Sequence, residues 1–137
     1  MTVKIMSSLT ELERAVLEML LAGDHPILEC LRKQLSLVQV TRREWTGVGF
    51  FTDLVIPESA EPAKMLPGRA TIGDVLAEIA GLDHGAGFVL FIEDGKLDFL
   101  EGYSYEEPWS EARSEYSLRY RAPNVRDLNS LDAKAVR

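Results

Sequence analysis

His84, Glu101, Tyr103 and Tyr105 are the side chains in this 137-residue chain whose chemistry and expected placement could serve one site. A glutamate with a raised pKa beside an imidazole and two phenols could transfer a proton or bind a polar small molecule. A hairpin would bring them together. Asp94-Gly95 sits between the alternating runs Phe88 to Glu93 and Lys96 to Tyr103, the strongest short-range signal for a two-residue turn. With that turn Glu93 faces Lys96, and each further pair follows by counting. One face then carries Phe88, Leu90, Ile92, Leu97, Phe99 and Glu101; the other carries Val89, Phe91, Asp98 and Leu100. The first face is the more apolar and is expected to meet the core. Glu101 would end that face, where a carboxylate must be paired, protonated or open to water. The same register sets Tyr103 opposite Ala86 and Tyr105 opposite His84. A plainer reading has Glu101 capping loop amides while the tyrosine rings pack and their hydroxyls reach water.

Other chemistry is less well supplied. Asp83-His84-Gly85-Ala86-Gly87 is no phosphate loop, because no Gly-Lys-Ser or Gly-Lys-Thr follows and the stretch leads into a strand. Its glycines fit strand-entry geometry better, as positive φ angles or a bulge. Cys30 falls on the apolar side of a helix and reads as an inert thiol. The serines from Ser104 to Ser130 lie in no nucleophile elbow, and only His25 and His84 could serve one as a base. Asp53, Asp74, Glu78 and Asp98 match no known cation-binding loop, and no Cys or His spacing suits zinc, so neither metal nor cofactor is expected. Arg42, Arg43 and Trp45 could form an exposed recognition patch, or an amphipathic strand with a core tryptophan.

The elements that must position these residues follow from pattern. Thr10-Glu11-Leu12-Glu13 is a capping box, and Leu9, Leu12, Val16, Met19 and Leu20 form an apolar stripe ending near Gly23. Asp24 offers a second N-cap, Pro26 suits a first turn, and Ile27 or Leu28, Leu31 and Leu35 form a second stripe. After Ser36 β-branched and aromatic residues dominate, with Thr46-Gly47-Val48-Gly49 as a turn between strands. Pro57 to Gly68 reads as a surface loop. Thr71 to Ala80 fits helix or strand, with strand slightly favoured by its β-branched residues. Tyr116 to Tyr120 suits an edge strand; beyond Pro123 a polar tail could still dock through Leu128 and Leu131. Helices followed by strands predict an α+β domain spanning 1–137, with a helical hairpin packed on an antiparallel sheet of four to six strands.

Charge is unevenly spread. The chain carries −7 overall, yet Thr71 to Glu115 alone holds 11 acidic residues against Lys96 and Arg113. Such a middle repels phosphate backbones, so nucleic acid is not an expected partner. A basic protein partner is permitted, as is a simple solvated face. A single cysteine fits a reducing, cytoplasmic setting, and no run approaches the length of a membrane span.

The stretches Thr46-Gly47-Val48-Gly49-Phe50-Phe51-Thr52, His84-Gly85-Ala86-Gly87-Phe88 and Leu100-Glu101-Gly102-Tyr103, with Glu107-Pro108-Trp109, resemble a set of small uncharacterised bacterial proteins without an assigned activity. The resemblance runs from the first helix through Trp109 and implies no catalytic residue. In size and charge alone the chain is also like acidic immunity proteins. Three functions stay open: an interaction module meeting a basic partner, a small-molecule binder or enzyme around Glu101 and His84, and a homodimer formed by sheet edges or an apolar helix face.

Overall fold

The computed structural model describes residues 8–110, 115–122 and 125–131. Two helices, α1 (Glu11–Leu20) and α2 (Pro26–Leu35), precede six strands: β1 (Gln39–Trp45), β2 (Gly49–Val55), β3 (Arg69–Ile79), β4 (Ala86–Glu93), β5 (Lys96–Ser104) and β6 (Tyr116–Tyr120). All strand pairs are antiparallel, in the order β1-β2-β5-β4-β3-β6. The protein is therefore α+β, with the helices packed on β3, β4 and β5. The ambiguous stretch is strand through Ile79, with Ala80 starting the turn that follows, and Tyr116 to Tyr120 is the sheet edge beside it.

Both helices begin as capping chemistry requires, although one cap is not the expected residue. The Thr10 hydroxyl accepts the Glu13 amide at 3.1 Å and the Glu13 carboxylate accepts the Thr10 amide at 2.9 Å. At α2 the cap is His25 in place of Asp24: its Nδ1 accepts the Ile27 amide at 3.1 Å, with Pro26 behind it at the first helical position. Val16, Leu17, Leu20, Ile27, Leu28 and Leu31 turn fully inward against Val40, Ile72, Val75, Phe88, Leu90 and Leu100.

The β4–β5 hairpin lies between β2 and β3, so the chain linking those two strands must pass the hairpin tip. Pro57 to Gly68 is a largely exposed loop, as expected, but that requirement also anchors it to the hairpin tip. Ala60, Ala63 and Leu66 are buried, the Ala63 amide donates to Gly95 O at 2.8 Å, and Gly68 and Asp94 exchange bonds of 2.8 and 2.9 Å. Asp94 and Gly95 both have positive φ, as the tight turn demands, and a Cβ on Gly95 would strike the Ala63 backbone. The buried Gln34 of α2 ties the crossing together, donating to Gly95 O at 2.8 Å and Glu61 O at 3.0 Å while accepting from the Leu97 amide at 3.0 Å.

The hairpin register departs from simple counting after two pairs. Glu93 faces Lys96 and Ile92 faces Leu97, but Phe91 faces Phe99, leaving Asp98 as the extra residue of a bulge. One extra residue reverses the facing of everything beyond it. Leu100 thus belongs to the core, fully buried, while Phe99 and Glu101 turn to the opposite face with Val89 and Phe91. The expected core face ending on Glu101 does not form. Similar shifts occur at Thr41 in β1 and across Gly73 and Asp74 in β3.

The tail is better anchored than its polarity predicted. Arg126 pairs with the buried Asp74 through both carboxylate oxygens and donates to the carbonyls of Ala22 and Leu20, the end of α1. Leu131 is fully buried and the Ser130 hydroxyl accepts the Thr71 amide at 3.0 Å. These contacts cover the part of β3 that β6 does not reach.

Candidate functional site

The four residues expected to share one site are divided among different surroundings. Glu101 pairs across β5 with Val89 of β4 and across to Phe51 of β2, half-buried on the face away from the helices. Tyr103 faces Gly87, not Ala86, and its ring occupies the space a Cβ on Gly87 would need. Tyr105 meets the Tyr103 ring edge-on at 5.7 Å. His84 is exposed in the loop before β4, its amide and that of Asp83 held by the Glu107 carboxylate at 2.8 Å each. His84 and Tyr105 line an open depression of about 610 Å³ with Glu78, Tyr116 and Arg119, and neither Glu101 nor Tyr103 does. Gly85 has φ +70° and lies against Ala77 O, so its role is strand entry.

Arg42, Arg43 and Trp45 also separate, because alternate residues of a strand face opposite ways. Arg43 and Trp45 turn to the helix side. Arg43 donates from Nε and Nη2 to the two carboxylate oxygens of Glu13, both at 2.7 Å, and the Thr52 hydroxyl donates to the same carboxylate at 2.5 Å. Burial alone would raise the Glu13 pKa; the Arg43, Thr52 and Thr10 hydrogen bonds outweigh it and hold the carboxyl below its ordinary range. Trp45 packs on Phe50 and Trp109, with ring centroids at 5.0 and 5.8 Å, and Phe88 closes the cluster. No single patch holds the three residues. Only Arg42 reaches the other face, paired with Glu44 at 2.8 Å.

That other face has the most distinctive surface chemistry among the described residues. Cross-strand partners build two adjoining rows across β1, β2, β5 and β4: Glu44, Phe51, Glu101 and Val89 in one, Arg42, Asp53, Phe99 and Phe91 in the next. Phe91 and Phe99 stack at 4.2 Å with 13° between their planes, Phe51 continues the series 6.1 Å from Phe99, and Arg69 caps it 5.6 Å from the Phe91 centroid. Phe51 is 38% exposed, high for a ring of its size. Among the described residues neither Asp53 nor Glu101 has an ion-pair or hydrogen-bond partner, and burial pushes the Glu101 carboxyl above its ordinary range. Arg42, Glu44, Phe51, Asp53 and Phe99 line a depression of about 220 Å³ there.

The remaining candidates are accounted for locally. The half-buried Cys30 thiol lies 3.7 Å from Glu61 O, and burial raises its pKa, which disfavours the thiolate. Asp74 is committed to Arg126, and no group of three or more His, Cys, Asp or Glu side chains among the described residues could hold a metal ion. No helix is long and apolar enough to cross a membrane among the described residues.

Sequence reasoning missed the buried roles of Gln34, Asp74 and Arg126, and it saw Glu13 only as a cap. Their signal was faint: each is one polar residue whose partners lie far along the chain, from 27 residues for Gln34 and Glu61 to more than 100 for Arg126 and the end of α1, with only the Glu13 cap local. It missed the phenylalanine rows because the bulge at Asp98 decides their face. No protein-family model, curated protein or solved structure matches this chain.

Proposed function

We propose that this protein is a non-enzymatic interaction module, of immunity or adaptor kind, which meets a basic protein partner with the sheet face turned away from its helices. The observation that carries the reading is the row of Phe51, Phe99 and Phe91 on that face, bordered by Asp53 and Glu101, neither of which has an ion-pair partner within 4 Å among the described residues. Partly exposed aromatic rings on a rigid sheet supply large contact area at little entropic cost, and a surrounding negative field speeds encounter with a basic surface. The overall charge of −7 acts in the same direction.

The test is recovery of a partner from the cells that make the protein, followed by titration of the two purified chains at rising salt. A one-to-one complex that weakens steeply with salt is expected; no complex from the purified chains, or one indifferent to salt, refutes the reading. A second reading, small-molecule binding, is favoured by the 610 Å³ depression at His84 and Tyr105, a volume within the ordinary range for ligand pockets. It draws on His84 without Glu101.

A further inference from the structure

We infer that the depression at Phe51 is the seat of one arginine side chain from the partner; this rests on the proposed function and makes it specific. Phe51 stands between Glu44 and Glu101 in its cross-strand row, with Asp53 two residues along its own strand on the same face. Three carboxylates thus border one exposed ring, with Arg42 beside it in the depression and Arg69 farther along the series, at Phe91. A planar cation lying on that ring gains from its negative face and reaches carboxylate oxygens at the rim. Arginine suits this better than lysine, because its fork can address a carboxylate while its plane stacks on the ring.

Two features narrow the occupant. The depression of about 220 Å³ is smaller than the sites that enclose drug-sized ligands, and matches a single long side chain. Arg42 already occupies its edge, bonded to Glu44 in a pair whose side chains are 66% and 54% exposed. So exposed a pair holds its geometry weakly and yields to an incoming cation. The chain's own arginine marks the chemistry that the rim accepts. Asp53 in the lining and Glu101, beside Phe51 in the cross-strand row, are the carboxylates that Arg42 does not engage and that are left for the partner.

The experiment compares an arginine-rich hexapeptide with its citrulline counterpart, the same shape without charge, by NMR titration of the whole protein. Phe51→Leu and Glu101→Gln are the variants, both outside the buried core, with the folded state of each checked by its NMR spectrum before titration. The arginine peptide is expected to shift the Phe51 and Phe99 ring signals, the citrulline peptide to leave them in place, and each variant to weaken binding roughly fivefold to twentyfold. Equal response to both peptides, or shifts confined to other surfaces, overturns the seat. If the purified partner still binds with steep salt dependence while Phe51→Leu and Glu101→Gln match the parent protein, the arginine seat is wrong and the interaction function survives. If no salt-dependent complex forms, both fall.

Discussion

At the scale of single residues, Glu13 and Glu101 show how differently one sheet treats two carboxylates. Glu13 is 2% exposed and satisfied by Arg43, Thr52 and Thr10. Its lowered pKa means that the folded state binds this proton less readily than the unfolded chain does. The stability it contributes is complete above its ordinary pKa of about 4.5, and is lost as pH falls through the lower folded value. Glu13→Gln removes the carboxylate that Arg43 engages through both oxygens and is expected to cost about 3 kcal/mol at neutral pH, read from urea denaturation. Glu101 has the opposite sign. Burial raises its pKa, so the folded state favours the protonated form, and stability falls as pH rises through the raised value. Glu101→Gln is therefore expected to raise Tm at about pH 7 and leave it unchanged at about pH 3. Equal effects at the two pH values would show that desolvation of the charge is not the cause. The capping role of Glu13 was legible from Thr-x-x-Glu; its pairing with Arg43, thirty residues on, was not.

At the scale of elements, the sequence conveyed type and order well and facing poorly. Capping boxes, Asp-Gly turns and β-branched runs are local features, so the helical hairpin, the β4–β5 turn and a sheet of four to six strands could be read from short windows, with Thr71 to Ala80 left between helix and strand. A bulge is not local in that sense. Asp98 is extra only because Gln34 takes the Leu97 amide and Leu100 fills the core, and both reasons lie in tertiary packing. Counting across it put Phe99 inward and Leu100 outward, and so created a core-facing Glu101 that the protein does not have. The two registers differ measurably. Leu100→Ala is expected to cost about 2 to 5 kcal/mol, and Phe99→Ala less than half of whatever that value proves to be. The unbulged ladder requires the reverse order.

For the whole molecule, the two faces of the sheet divide the work. The helix side holds the core, the Trp45, Phe50, Phe88 and Trp109 cluster and the buried Glu13–Arg43 pair; the other side displays the phenylalanine stack with its carboxylates. The acidic balance read from composition agrees with an interaction role, but composition says nothing of which face carries it. That division allows one direct measurement of the central claim: aromatic side-chain NMR of the protein titrated with its purified partner. The indole N–H groups of Trp45 and Trp109 are buried without hydrogen-bond partners among the described residues and report the inner face, while the rings of Phe51, Phe91 and Phe99 report the outer one. Saturable shifts of the three phenylalanine rings, with both indole signals unmoved, are the predicted result. Shifts of the indole or helix signals with the phenylalanine rings unchanged would contradict it.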